Sequence, residues 1–160
     1  MTRERAHIAG YRLERRLDPG GHHEVWLARA SDGMAVALKL GGAPEPADPD
    51  EGRIPGLVPV LESGRSDGLA YQVMPLVSGA TLAERLADGP LAPDEAGRLV
   101  ASLARILGAL HAVGRAHGDV RPANIVLGPE GAVTLLDREV RESTTPRADR
   151  EALAILARSL

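Results

Sequence analysis

Three side chains in the last third of the chain have the types and spacing needed for chemistry on a phosphate group. Asp119 and Asn124 lie close together in a polar stretch, and Asp137 follows further along. Amide and carboxylate oxygens are hard ligands that suit Mg²⁺ beside phosphates. If Asn124 and Asp137 face one point they can hold such an ion, and Asp119 can orient a nucleophile.

The elements around these residues predict that Asn124 and Asp137 meet. The apolar run 125–127 directly follows Asn124, and a second apolar run, 133–136, ends at Asp137. The residues between the runs, at 128–131, read G-P-E-G and are typical of a turn, so the two runs predict a β-hairpin. This hairpin would place Asn124 where its first strand begins and Asp137 where its second strand ends.

Two residue types occur once each in the chain. Of the 19 Lys and Arg residues only Lys39 is a lysine, and Asn124 is the only asparagine. A GC-rich genome explains why both types are rare, because their codons are AT-rich, but it does not explain their positions. A lysine that ends an apolar strand, as Lys39 does, either reaches out to solvent or gives a point charge to a phosphate. Being the only lysine favours the second interpretation.

The stretch 117–124 reads H-G-D-V-R-P-A-N and resembles the catalytic loop H-R-D-x-x-x-x-N of protein kinases. Asp137 takes the place of the Asp in the metal-binding D-F-G motif. The resemblance implies an α+β, two-lobed protein-kinase-like fold that uses ATP and Mg²⁺ to transfer a phosphate to a hydroxyl group. It implies that Asp119 is the catalytic base, that Arg121 lies near the γ-phosphate, and that Asn124 and Asp137 are the metal ligands.

The same resemblance implies a set of nucleotide-contacting residues. Lys39 ends the strand V-A-L-K and would hold the α- and β-phosphates. The stretch 18–23, D-P-G-G-H-H, takes the place of the glycine-rich loop, with Asp18 and His23 where the first and third glycines are expected. Met74 would be the gatekeeper at the adenine pocket. The full set of implied contacts is Gly20, Gly21, Val25, Ala37, Lys39, Met74, Pro75, Val77 and Val126.

The predicted organisation is two lobes. Residues 1–78 are expected to form an N-terminal lobe with a five-stranded antiparallel sheet, and residues 79–160 a reduced helical lobe. The strands are expected at 11–17, 25–30, 34–40, 57–61 and 69–74, and the longest helix is expected to begin at Pro93.

The stretch 41–56 contains four prolines, which prevent a sustained helix. In kinases this region holds a helix, αC, whose glutamate pairs with the strand lysine. Glu45 and Glu51 are the two candidates for pairing with Lys39, and a flexible acidic loop in which neither pairs is the favoured interpretation.

The composition excludes several classes of protein. A net charge of −3 gives no basic footprint for nucleic acid or an anionic membrane. The absence of cysteine excludes disulfides and cysteine-based zinc sites or catalysis. No apolar run approaches the length of a membrane span, and no signal-like segment begins the chain. The expected location is the cytoplasm.

The end of the chain departs from the kinase pattern. A short connector, 138–148, stands where kinases have an activation segment, and one further helix follows from Asp149. Asp149 either binds the backbone of the catalytic loop, as its counterpart does in kinases, or caps its own helix. The helices of the reduced lobe are expected to expose apolar stripes, which a homodimer or a partner protein would cover.

Three functional hypotheses follow. The first is a minimal phosphotransferase, including one that phosphorylates itself. The second is a pseudokinase that binds nucleotide or acts as a scaffold. The third is a half-protein that another chain completes.

Overall fold

The structure is a computed structural model that describes residues 7–17, 23–42, 51–136 and 144–160, except for the side chain of residue 51. The chain divides into two compact units. The first unit comprises residues 1–49 and 59–76, and the second comprises residues 50–58 and 77–160. Strands build the first unit and helices dominate the second, which confirms the α+β fold class with a reduced helical part.

The described residues of the first unit form an antiparallel sheet of six strands rather than the five predicted, in the order β1-β2-β3-β4-β6-β5. The strands are β1 (His7–Ile8), β2 (Tyr11–Arg16), β3 (Glu24–Arg29), β4 (Ala35–Leu40), β5 (Glu62–Ser66) and β6 (Leu69–Pro75). The additional strand is β1, whose two residues are too short to show a periodic pattern in the sequence.

The predicted strand 57–61 is wrong. The strand in this region is β5, which begins one residue after the predicted strand ends. Pro59 has no N–H to donate to a ladder, and Leu57 instead forms a parallel bridge with Leu135 in the second unit. Pairing with β6 begins at Leu61, whose N–H donates to the carbonyl of Val73 at 2.8 Å.

Side chains join the two ends of this sheet. The phenols of Tyr11 on β2 and Tyr71 on β6 donate to the two carboxylate oxygens of Glu62 on β5, at 2.7 and 2.6 Å. The N–H of Ala9 donates to Oγ of Ser66 at 3.3 Å. We call Tyr11, Glu62 and Tyr71 the tyrosine seam, and it shows that the sheet curls until β2 and β5 come together.

The hydrogen bonds of the seam change how its members ionise. Donation from Tyr71 and Tyr11 holds the pKa of the Glu62 carboxyl below its usual value. The hydrogen bond to Glu62, aided by burial, raises the pKa of Tyr11 to about 12. The same two causes raise the pKa of Tyr71.

Where the structure describes it, the second unit combines three α-helices with a small antiparallel sheet in the order β7-β8-β9. Its elements are β7 (Ala80–Thr81), α1 (Leu82–Ala87), α2 (Pro93–Ala112), β8 (Ile125–Leu127), β9 (Val133–Leu135) and α3 (Pro146–Ser159). Strands β8 and β9 form the predicted hairpin, in a register that pairs Ile125 with Leu135. Among the described residues, the region predicted to replace αC contributes one short 3₁₀ turn, Glu51–Arg53.

The apolar stripes of α2 and α3 are covered within this unit, so the expectation that they are exposed is wrong. The buried side chains of α2 are Leu99, Leu103, Ile106, Leu107 and Leu110. Leu156 of α3 is buried in the same cluster, and Leu153 and Leu160 pack against it. The two helices pack against each other, and α2 also contacts β9 of the hairpin.

Candidate active site

The loop that carries Asp119 follows the end of α2. Gly114 and Gly118 both have positive φ angles, of 75° and 84°, which glycine adopts without steric cost. Between them Ala116 and His117 are buried, at 7% and 0% exposure. The chain therefore turns at Gly114, crosses the core, and turns again immediately before Asp119.

Asp149 of α3 binds the backbone of this loop through its carboxylate. Its carboxylate oxygens accept the N–H of His117 at 2.7 Å and the N–H of Gly118 at 2.8 Å. Asp149 is 1% exposed. The N-cap of α3 is instead Thr145, whose side chain accepts the N–H of Ala148. Of the two roles left open for Asp149, the structure shows the contact with the loop.

His111 also supports the loop, and this role was not predicted from the sequence. Its Nε2 lies 2.8 Å from Oδ2 of Asp149. The available signal is spacing, because Leu103, Leu107 and His111 recur every four residues and share one face of α2. A polar residue that ends a buried apolar stripe needs a polar partner, and here that partner is the loop-binding carboxylate.

Asp119, Arg121 and Asn124 are brought together at the other side of the loop. The amide nitrogen of Asn124 donates to the carbonyl oxygen of Asp119 at 3.0 Å and to its Oδ2 at 2.7 Å. Nε of Arg121 lies 3.0 Å from the same Oδ2. Asn124 is buried at 6% exposure, whereas the side chain of Asp119 is 23% exposed. One carboxylate oxygen thus holds two donors and the side chain still reaches solvent.

The hairpin brings the chain back to Asn124. The N–H of Leu136 donates to the carbonyl oxygen of Asn124 at 2.7 Å, one step beyond the pairing of Ile125 with Leu135. Asp137, the next residue, lies outside the described residues. Its predicted role as a metal ligand stays a prediction.

The donor set around Asn124 suits a hard cation. Both hydrogen bonds to Asp119 use the amide nitrogen, the only donor of this side chain, so they fix which way the amide faces. The amide oxygen takes part in neither bond. An oriented amide oxygen next to a carboxylate is a chemistry that fits Mg²⁺.

In the first unit, Val25, Ala37, Lys39 and Met74 share one face of the sheet. Val25 is the register partner of Lys39, and Ala37 is the partner of Met74. Directly opposed residues and residues two apart on one strand point to the same side. Lys39 is 5% exposed.

The other predicted contacts are distributed differently. Pro75 ends β6 opposite Val36 in the first unit, while Val77 and the buried Val126 belong to the second unit. Gly20, Gly21 and Glu45, like the side chain of Glu51, lie outside the described residues. Their roles stay predictions.

The fold and the loop around Asp119 define a class: the chain has the protein-kinase-like fold and is homologous to bacterial serine/threonine protein kinases. The serine/threonine-protein kinase PknE of Mycobacterium bovis is 35% identical over 159 residues, a match that covers 90% of this chain and 28% of PknE. PknH of Mycobacterium tuberculosis is 35% identical over 150 residues, covering 84% of this chain and 24% of PknH. This chain therefore spans about a quarter of these relatives. No model of a protein family matches it.

Solved structures support the same class. The crystal structure of the PknI kinase domain of Mycobacterium tuberculosis aligns with a TM-score of 0.72 and 26% identity, over 94% of this chain and 73% of that one. A point variant of that domain aligns with a TM-score of 0.74 and 25% identity, over 98% and 76%. Within the described part of the chain, no helix has the length and apolar character needed to cross a membrane.

Proposed function

We propose that this chain is a minimal phosphotransferase that binds ATP with Mg²⁺ and transfers the γ-phosphate to a hydroxyl group, its own hydroxyls included. The observation that carries the proposal is the pair of hydrogen bonds from the Asn124 amide to Asp119. They hold a base candidate and a metal-ligand candidate in one fixed arrangement. Phosphoryl transfer depends mainly on such positioning and on charge neutralisation.

Asn124 and Asp137 are the residues that would hold Mg²⁺, which when bound neutralises charge on the phosphates. The chain leaves the hairpin at Leu136, beside Asn124. This connection supports Asp137 as the second ligand.

Asp119 is the proposed base. Its Oδ2 already accepts from Asn124 and Arg121, so Oδ1 is the atom that we assign to the hydroxyl of the acceptor. There it would orient the hydroxyl and accept its proton as the hydroxyl oxygen bonds to the γ-phosphorus and the bond from that phosphorus to the departing ADP oxygen breaks. Arg121 keeps a positive charge next to this group, and its terminal nitrogens can reach a phosphate while Nε remains on Asp119.

Lys39 is proposed to hold the α- and β-phosphates. Val25, Ala37 and Met74 lie on its face of the sheet and are the proposed apolar contacts for adenine in the first unit. Val126, which belongs to the second unit, is a further proposed contact. At the adenine edge, Pro75 would accept a hydrogen bond through its carbonyl oxygen, and Val77 would donate one through its N–H. The backbone N–H groups of Gly20 and Gly21 are proposed to approach the phosphates.

A second candidate is a nucleotide-binding module that transfers no phosphate. The observation that favours it is the glycine-rich loop, where Asp18 adds negative charge and His23 adds bulk. Both candidates use ATP, which is supplied inside the cell, so both put the chain in the cytoplasm.

Thermal unfolding with ATP, in the presence and absence of Mg²⁺, tests the nucleotide site. ATP at a hundred times its dissociation constant should stabilise the native chain by about 2.7 kcal/mol. The Mg²⁺-dependent part should disappear in Asn124→Ala and Asp137→Ala, and should persist in Glu130→Ala, a control on the exposed hairpin turn. The absence of a shift with any nucleotide would overturn the proposal.

A further inference from the structure

His23 packs on the backbone of two consecutive glycines. A Cβ atom built on Gly41 would lie 3.3 Å from Nδ1 of His23, and one built on Gly42 would lie 3.2 Å from its Cε1. Both glycines have positive φ angles, of 96° and 79°. The imidazole therefore lies against a bare stretch of backbone that a side chain at either position would crowd.

This contact is at the end of the ladder that carries Lys39. The last register pairs of β3 and β4 are Val25 with Lys39 and Glu24 with Leu40. His23 and Gly41 follow directly after them. The N–H of Gly41 also donates to the carbonyl oxygen of Ala70 on β6 at 2.9 Å. The ring thus lies where the ends of three strands meet.

Gly41 and Gly42 directly follow the last residue of β4. Glycine has the widest range of backbone conformations, so two glycines in a row leave the chain after the strand with the greatest backbone freedom. In this chain they follow Lys39 by two and three residues. The imidazole of His23 is the side chain that lies within 4 Å of the Cβ position of both glycines. His23 precedes Glu24, whose register partner is Leu40, and the next pair along the ladder is Val25 with Lys39. The ring is therefore close along the ladder to the proposed phosphate-binding lysine.

We propose that His23 is a positioning residue that holds the end of β4 and thereby sets the position of Lys39 for the phosphates of the nucleotide. The inference rests on the proposed function, since it assigns His23 to the same nucleotide site. The proposed role also explains why a bulky residue stands at position 23 and glycines at 41 and 42, because the His23 ring occupies the space that side chains at 41 and 42 would need.

Calorimetric titration with Mg-ATP and with adenosine tests this role. His23→Ala should weaken Mg-ATP binding about three- to tenfold, which lies in the lower part of the range of coupling between contacting residues. Adenosine has no phosphates, so its affinity should stay unchanged, which a general loss of structure would not permit. His23→Phe keeps a flat ring and should restore most of the Mg-ATP affinity.

A double-variant cycle makes the test specific. In Lys39→Ala, which has lost the phosphate contact, adding His23→Ala should weaken Mg-ATP binding no further, because the histidine acts through the lysine. Additive losses, equal losses for adenosine and Mg-ATP, or a His23→Phe variant as weak as His23→Ala would each overturn the inference. If the native chain binds no Mg-ATP, the proposed function has failed. If the native chain binds Mg-ATP and His23→Ala binds it equally well, only the inference about His23 has failed.

Discussion

The amide nitrogen of Asn124 donates to both the backbone carbonyl and the carboxylate of Asp119, at 3.0 and 2.7 Å. One buried side chain thus fixes the main chain and the side chain of the proposed base together. The loop between them contains the short 3₁₀ turn Pro122–Asn124, which returns the chain to its own start. The geometry of the site is therefore largely local to six residues, from 119 to 124.

Asn124→Asp should destabilise the chain in a pH-dependent way. The change removes both donations and sets a second carboxylate against Asp119, where two like charges share one site. We expect a loss of about 2–3 kcal/mol in urea unfolding near neutral pH. Part of the loss should be recovered near pH 4, because one proton shared between the carboxylates relieves their repulsion.

Asn124→Ala is the matched control, because it removes the donations without adding a charge. Its deficit should be similar at both pH values. An Asn124→Asp deficit that is the same in acid and at neutral pH would contradict the close approach of these two side chains.

Asp149→Ala should destabilise the second unit strongly although Asp149 is far along the chain from the loop it binds. The change leaves the N–H groups of His117 and Gly118 without their acceptor, and each buried unsatisfied donor costs about 1–3 kcal/mol. We expect a total of about 2–4 kcal/mol in urea unfolding. Glu151→Ala, two residues further on α3 in an exposed pair with Arg147, should have almost no effect. Equal effects of the two changes would contradict the anchoring role.

The tyrosine seam predicts an unusual alkaline titration. The chain has two tyrosines, and both donate to Glu62. Tyrosinate absorbance should show a pKa of about 12 for Tyr11 and a pKa above the ordinary value for Tyr71. Glu62→Gln should lower both. Two tyrosines that ionise together at the ordinary pKa of 10.0 would show that the seam does not form.

The seam also predicts how stability depends on alkaline pH. The folded-state pKa of Tyr11 is raised above its unfolded value, so its contribution is complete below about pH 10 and is lost as pH rises toward 12. Glu62 has a lowered pKa, so its contribution is present above its ordinary value of 4.5 and is lost in acid. Tyr11→Phe should flatten the alkaline fall in the free energy of unfolding.

Gly79 and Gly97 should respond oppositely to a methyl group. Gly79 has a φ of +140°, and a Cβ there would collide with the carbonyl oxygen of Leu127. Gly79→Ala should therefore cost about 2–3 kcal/mol in urea unfolding. Gly97 lies within α2 with open space around its Cβ position, so Gly97→Ala should stabilise by about 1 kcal/mol. Two changes of the same sign would contradict the close approach at Gly79.

The sequence predicted the parts of the fold whose signals are local. The β8–β9 hairpin follows from two apolar runs and the Gly/Pro turn between them, and α2 follows from its repeated Leu and Ile positions. Strand β5 was missed because E-S-G-R-S has no apolar alternation. Its strand conformation comes from pairing with β6, and such tertiary context outweighs intrinsic preference.

In the candidate site, too, the sequence predicted the contacts between residues that are close together along the chain. Asp119, Arg121 and Asn124 lie within six residues and meet through local geometry. The contact of Asp149 with His117 and Gly118 joins residues more than thirty positions apart. No local pattern separates that role from a helix cap, and the resemblance to kinases was the only pointer to it. His111 had a weak signal. His23 stood out only as a replacement for the third glycine of the glycine-rich loop, and that pattern does not indicate packing against Gly41 and Gly42.

The most direct test of the account is the formation of ADP from Mg-ATP by the native chain, compared with Asp119→Asn. Labelled γ-phosphate should appear on the chain or in an added hydroxyl acceptor as ADP forms. Because Asp119 is the proposed base, Asp119→Asn should slow this transfer by about 10²- to 10⁴-fold while Mg-ATP still binds. A native chain that binds Mg-ATP and forms no ADP, or one whose transfer is unchanged in Asp119→Asn, would contradict the proposed phosphotransfer.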